Sequence, residues 1–166
     1  MKKSSTINVT SWLTHSIVAL FLVGSIINCG GSSGPSQVEL PKTLIQNFIA
    51  KHKIMVDDAL VEFYVADEQP TVAAAVRKAI DEKKAAGELQ KLQQATFDFS
   101  NLQIALVGEK EAYVNDQPTK LIKVSVSGSY IMKNENDDMT ITANDTIILE
   151  MVNNTWKVTE KVNPWS

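Results

Sequence analysis

Cysteine occurs once in these 166 residues and histidine twice. A lone cysteine, Cys29, excludes a disulfide framework and any Cys-cluster metal site. His15 lies in an N-terminal leader, which leaves His52 as the one histidine of the folded part. A metal centre would then need mostly carboxylates, and neither a metal nor a cofactor is expected. A basic excess is also lacking: 16 Lys and Arg face 19 Asp and Glu, for a net charge of -3. That balance gives no general polyanion-binding footprint. Aromatic residues make up 7% of the chain and do not alternate with Lys or Arg, so a nucleic-acid platform is not expected either. Missing too are a Walker loop, a G-x-G-x-x-G turn, an H-E-x-x-H helix and a G-x-S-x-G elbow. The expectation is a non-enzyme. What is present, 44% hydrophobic and 21% charged residues, suits one globular domain rather than a disordered chain.

Long apolar runs are scarce. The main one, Ile17 to Val23, extends to Ile27 with breaks at Gly24 and Ser25. It is short of the roughly 20 residues a membrane span requires. Lys2 and Lys3 are the only Lys, Arg, Asp or Glu residues before Cys29. A basic start, a short apolar core and a polar boundary predict a signal peptide over residues 1–28. Residues 29–40 form a tether, with Gly30 to Gln37 (GGSSGPSQ) flexible by composition. Residues 41–166 form a single α+β domain.

Within that domain the apolar period changes along the chain. Leu44, Ile45, Phe48, Ile49, Val56, Ala59, Leu60 and Phe63 recur at three- and four-residue steps and predict one long helix over about 42–66, with Pro41 at its first turn. His52 lies on or beside this stripe, as a partly buried core residue. Asp57, Asp58 and Glu62 are expected on a solvated face. Pro70 breaks the helix, Thr71 to Ala86 resumes it, and Gly87 stops it. Leu89 and Leu92 predict one more short turn. After Ala95 the period becomes two. Phe97 and Phe99 alternate, and a slip at Ser100-Asn101 predicts a bulge before Leu102, Ile104 and Leu106. Gly108-Glu109-Lys110 is expected to turn the chain, and Asn115 to Pro118 to interrupt the return. Ile122, Val124, Val126, Tyr130 and Met132 give a strand with one buried face. A polar turn at 134–138 leads to a strand with inward Met139, Ile141, Ala143, Ile147, Leu149 and Met151. Asn153-Asn154 fits a tight hairpin, since Asn tolerates positive φ. Helices first and strands afterwards predict helices packed on a curved antiparallel sheet of four to six strands.

Two resemblances add to this reading. Ile26-Ile27-Asn28-Cys29 resembles a bacterial lipobox, with Ile26 where Leu is commonest in that family and Asn28 where Gly or Ala is. The resemblance implies a diacylglycerol on the Cys29 sulfur and cleavage before it. The thiolate is the nucleophile that accepts the lipid. Removal of residues 1–28 takes away two lysines and no acid, leaving 138 residues with net charge -5. The domain resembles the nuclear transport factor two-like superfamily, also described as cystatin-like α+β rolls. Val61-Glu62-Phe63-Tyr64-Val65-Ala66, Val107 to Val114 and the hairpin Asn154-Thr155-Trp156-Lys157-Val158 carry that likeness over about residues 42–162. It implies a cone between helix and sheet. Catalytic members hold a carboxylate base inside the cone, and Asp145 falls on the inner parity between Ala143 and Ile147, with Tyr130 or Tyr64 as candidate donors beside it. A bulge at Asn144-Asp145 would instead turn Asp145 to solvent.

Three functions follow as expectations. The first is a non-enzymatic protein held by a covalent lipid on Cys29 at the bacterial envelope, in the outer membrane ahead of the inner, binding a protein, host or envelope partner. The second is a carrier of small hydrophobic ligands in a cone lined by Phe63, Tyr130, Met139 and Trp156. The third is an isomerase-like enzyme built on Asp145.

Overall fold

The computed structural model describes residues 38–135 and 137–165. The expected signal peptide, Cys29 and the tether through Gln37 lie outside the described residues. From Val38 onward the chain builds helices and then an antiparallel sheet, the α+β class expected from the change of period.

Pro41 caps α1, Lys42–Ile54, whose Ile45, Phe48 and Ile49 are buried. The single helix expected over 42–66 is two elements. Met55 adopts a left-handed backbone (φ 49°) and its N–H closes on the Lys51 carbonyl, which ends α1. Asp57 is extended, and its carboxylate accepts the Ala59 N–H at 2.9 Å and an ion pair from Lys51. That cap starts a 3₁₀ turn, Asp58–Phe63. The apolar stripe of the sequence is real, because Val56 and Leu60 are buried beside α1. What the periodicity could not register is a reset of the backbone between two segments that present the same face. Asp57 is therefore a half-buried cap, while Asp58 and Glu62 are exposed as expected.

Pro70 sits in the first turn of α2, Gln69–Ala85, and Gly87 ends this stretch at φ 72°. α3, Leu89–Gln93, follows. The sheet comprises β1 (Thr96–Asp98), β2 (Leu102–Val114), β3 (Gln117–Asn134), β4 (Asp137–Val152) and β5 (Thr155–Val158). β1 and β2 pair with the same side of β3, β4 with its other side, and β5 with β4, all antiparallel. The sheet curls, and its concave face carries Ile122, Val124, Val126, Tyr130 and Leu149 against α1 and the 3₁₀ turn. The helical layer is stitched to β5 by the Val65 N–H on the Val158 carbonyl, 3.1 Å.

The slip at Ser100-Asn101 is a break between two strands on one edge. Asp98 caps it, accepting from the Ser100 N–H and from Lys133, both at 3.1 Å. These donors hold the Asp98 carboxyl down at about 2. Gly108-Glu109-Lys110 is not a turn. β2 runs through it, with the register shifting between Leu106 and Gly108. Glycine suits the position because a Cβ at 108 would lie 2.7 Å from the Trp165 indole nitrogen unless that ring moved. The reversal occurs at Asn115-Asp116, both at positive φ (49° and 60°), in a two-residue hairpin with Val114 opposite Gln117. Asn153 and Asn154 make the second such hairpin, as expected (φ 49° and 63°).

Candidate functional site

A groove of about 480 Å³ opens between α1 and β4. Its helix side is one face of α1: Phe48, Ile49, His52 and Lys53. Its sheet side is β4 between Ile141 and Ile148, with Tyr130 of β3 in the floor. Thr159 and Glu160, just past β5, close one end. Buried Phe48, Ile141 and Ile147 thus form an apolar base, and charged groups of both signs stand on the rim.

Two consecutive parities of β4 border this groove. Ile141, Asp145 and Ile147 belong to the concave face, whereas Thr142, Thr146 and Ile148 belong to the convex one. A cleft touching both must lie along the edge of the strand. The pairing of β4 explains why that edge is open. β5 covers β4 only from Leu149 to Val152, and the Thr159 N–H then takes the Ile148 carbonyl at 3.0 Å. N-terminal to Ile148 no strand pairs with that side of β4 among the described residues.

Asp145 stands in the middle of this border. The ladder is continuous there, with Ser127 opposite Asn144 and Val126 opposite Asp145, so no bulge turns the side chain away. It lies on the concave face and is solvent-exposed in the groove. Tyr130 is 4% exposed, lines the groove, and makes no hydrogen bond from its hydroxyl among the described residues. Burial and the Asp145 charge push its pKa up. Tyr64, the other candidate donor, is used elsewhere: its hydroxyl donates to Glu160 Oε1 at 3.0 Å. Burial, then the charges of Glu160 and Glu68, raise its pKa far above the ordinary value. Both phenols stay protonated donors at any physiological pH. His52 sits on the groove rim, exposed, its ring 5.2 Å from that of Phe48.

The apolar cone expected from Phe63, Tyr130, Met139 and Trp156 does not assemble. Only Tyr130 of the four borders the groove. Phe63 and Trp156 meet beside Leu44 at a shallow dent of about 200 Å³, and Met139 is 47% exposed near the far end of β4. Rings pack between helix and sheet: Phe48 on Phe63 and Tyr64, and Phe97, Phe99 and Tyr130 in a second group.

One carboxylate that sequence reasoning missed organises the groove's closed end. Glu68 is 4% exposed and accepts from Thr159 Oγ1 at 2.7 Å, from the Glu160 N–H at 3.0 Å and from the Lys161 N–H at 3.3 Å. Its one sequence signal is its place just before Gln69-Pro70 at a helix start. No group of three His, Cys, Asp or Glu residues converges as a metal site among the described residues. No protein-family model, curated protein or solved structure matches this chain, so the groove stands on its own chemistry.

Proposed function

We propose that this chain is a lipid-anchored protein of the bacterial cell envelope whose domain binds a partner in the α1–β4 groove and carries out no catalysis. The observation that carries the binding half is the groove itself: a concave, part-apolar site bordered by an open strand edge, with Tyr130 in its floor and Asp145 on its border. Concave sites with a few convergent polar groups are where proteins bind other molecules. The anchoring half rests on the apolar run and Cys29 of the sequence, with Gly30 to Gln37 as the tether. Among the described residues no helix is long and apolar enough to cross a membrane.

Binding fits this site better than catalysis. Asp145 is open to water and lacks the apolar enclosure in which a carboxylate base of the isomerase type works. A carrier of hydrophobic ligands would need an enclosed cavity, and the groove is open and edged with charge. The anchoring is tested by growing bacteria that make the full chain with a fatty-acid analogue. The wild type is expected to be labelled and membrane-bound, and Cys29→Ala to lose both properties. Membrane attachment that persists in Cys29→Ala would sink the lipid anchor.

A further inference from the structure

The groove is a strand beside a helix, and the strand's outer edge is unpaired. These two features together define a particular kind of partner. The Ile148 carbonyl points toward the β5 side, where it accepts from the Thr159 N–H. In an antiparallel ladder the direction of the backbone groups alternates residue by residue. With the β3–β4 register unbroken from Asn134 opposite Asp137 to Leu121 opposite Glu150, Thr142, Asn144 and Thr146 turn their N–H and C=O groups to the same open side. Thr142 and Thr146 line the groove, with Asn144 between them on the same unpaired edge.

We propose that the α1–β4 groove takes an extended peptide segment, which adds as a further strand to β4 between Thr142 and Thr146 and places one basic side chain against Asp145. This rests on the reading of the groove as a binding site. Main-chain bonding to an exposed sheet edge supplies affinity, and alternate side chains supply selectivity. The concave face of β4 sets the pattern. Inward side chains of the added strand meet Ile141, Ala143, Asp145 and Ile147 in turn. Directly opposed pairs favour apolar on apolar and opposite charge on charge. The matching segment therefore carries a Lys or Arg with an apolar residue two positions to one side and another four positions to the other. Glu160 at the closed end reinforces the negative field, and Lys53 on the helix side limits the segment to a single basic residue there. The Tyr130 side chain lines the groove beside the path of the incoming segment. The commitment to a basic peptide follows from charge: the sequence after residue 28 carries net -5.

The test selects binders from a displayed library of random peptides of about eight residues on the full chain in detergent, and then measures synthetic copies. The expected winners show the apolar-basic-apolar spacing, and on binding the amides of Thr142, Asn144 and Thr146 gain protection from hydrogen exchange. Asn144→Pro removes one outward N–H without touching the β3 ladder and is expected to weaken binding about tenfold or more, while Asn144→Ala binds as wild type. Asp145→Asn is expected to weaken the basic peptide and to spare a copy with Gln in the basic position. N-methylation of alternate peptide residues tests the same bonds without altering the protein, and is expected to abolish binding in one phase only. Selected peptides that bind Asn144→Pro and every methylated copy equally, with changes at Tyr130 alone, would overturn strand addition and leave the groove as a site. Edge amides already protected in the free chain, with concentration-dependent dimerisation, would overturn the proposal in favour of a second copy on this edge. A library that yields no binder, with a panel of envelope saccharides shifting Tyr130, would overturn the peptide alone. A silent library and a silent panel would overturn the groove reading as well.

Discussion

Glu150 is 7% exposed, opposite Leu121 on one side and Lys157 on the other. Lys157 gives its ammonium to the Glu62 carbonyl. Burial first, then the charges of Asp67 and Glu68, push the Glu150 carboxyl above its ordinary pKa. The folded protein thus holds a proton on Glu150 to higher pH than the unfolded chain does. Stability from this group is fully present below the unfolded pKa and is lost as pH rises through the folded one. Glu150→Gln is expected to be more stable than wild type at pH 7, with the difference closing by about pH 4, near the unfolded value. Thermal unfolding of both proteins from pH 4 to 8 checks this, and a gain that is flat across the range would rule the explanation out. Gly128 presents a different kind of constraint. It has φ 96°, and a Cβ there would run into the Asn101 carbonyl oxygen where β1 hands over to β2. Gly128→Ala is expected to cost about 2 kcal/mol or more in a denaturant titration, from strained backbone together with the clash.

At the scale of elements, the strand faces were legible and the breaks between elements were not. Alternation in Ile122, Val124 and Val126 records burial directly, because side chains on a strand alternate faces. Helical spacing likewise identified the apolar face of α1 and of the 3₁₀ turn. It was silent about Met55, since one residue in the left-handed region changes the chain's path without altering which side chains are apolar. The turn expected at Gly108 failed for a related reason. Glycine marks either a reversal or a close approach, and here the approach is to Trp165, a residue distant in sequence. Asn115-Asp116 carried the correct turn chemistry, but its neighbour Pro118 made it look like an interruption. Pro118 is tolerated because it lies beyond Leu121, where the β3–β4 pairing begins. Of the groove, Asp145 and Tyr130 were legible from parity. The open edge of β4 was not, because it depends on where β5 ends. The Asp57 cap gives a direct test of the helix break. Asp57→Ala removes the acceptor for the Ala59 N–H and the partner of Lys51. It is expected to lower stability by about 1 kcal/mol, read in the same titration. No change in stability would mean that Met55 alone sets the break.

Across the whole molecule, hydrogen bonds tie the helical layer to the last strand and the segment after it, and buried Glu68 accepts several of them. Its carboxylate satisfies the Thr159 hydroxyl and the backbone N–H groups of Glu160 and Lys161, all from the segment leaving β5. The same segment supplies Thr159 and Glu160 to the groove, and Glu160 in turn accepts from Tyr64. Removing Glu68 leaves three donors without their acceptor, one of them the 2%-exposed Thr159. Orphaned buried donors cost about 1–3 kcal/mol each, less wherever water reaches them. Glu68→Ala is therefore expected to destabilise the domain by about 2–3 kcal/mol. The location of the loss carries more information than its size. Glu68 bonds the C-terminal segment and not the β2–β3–β4 ladder, so hydrogen exchange in Glu68→Ala should quicken first at Thr159, Glu160 and Lys161 and leave Val124 and Val126 slow. Equal acceleration throughout would mean that the clasp belongs to the cooperative core. The groove's closed end would then be as rigid as the sheet, and its shape would not depend on Glu68.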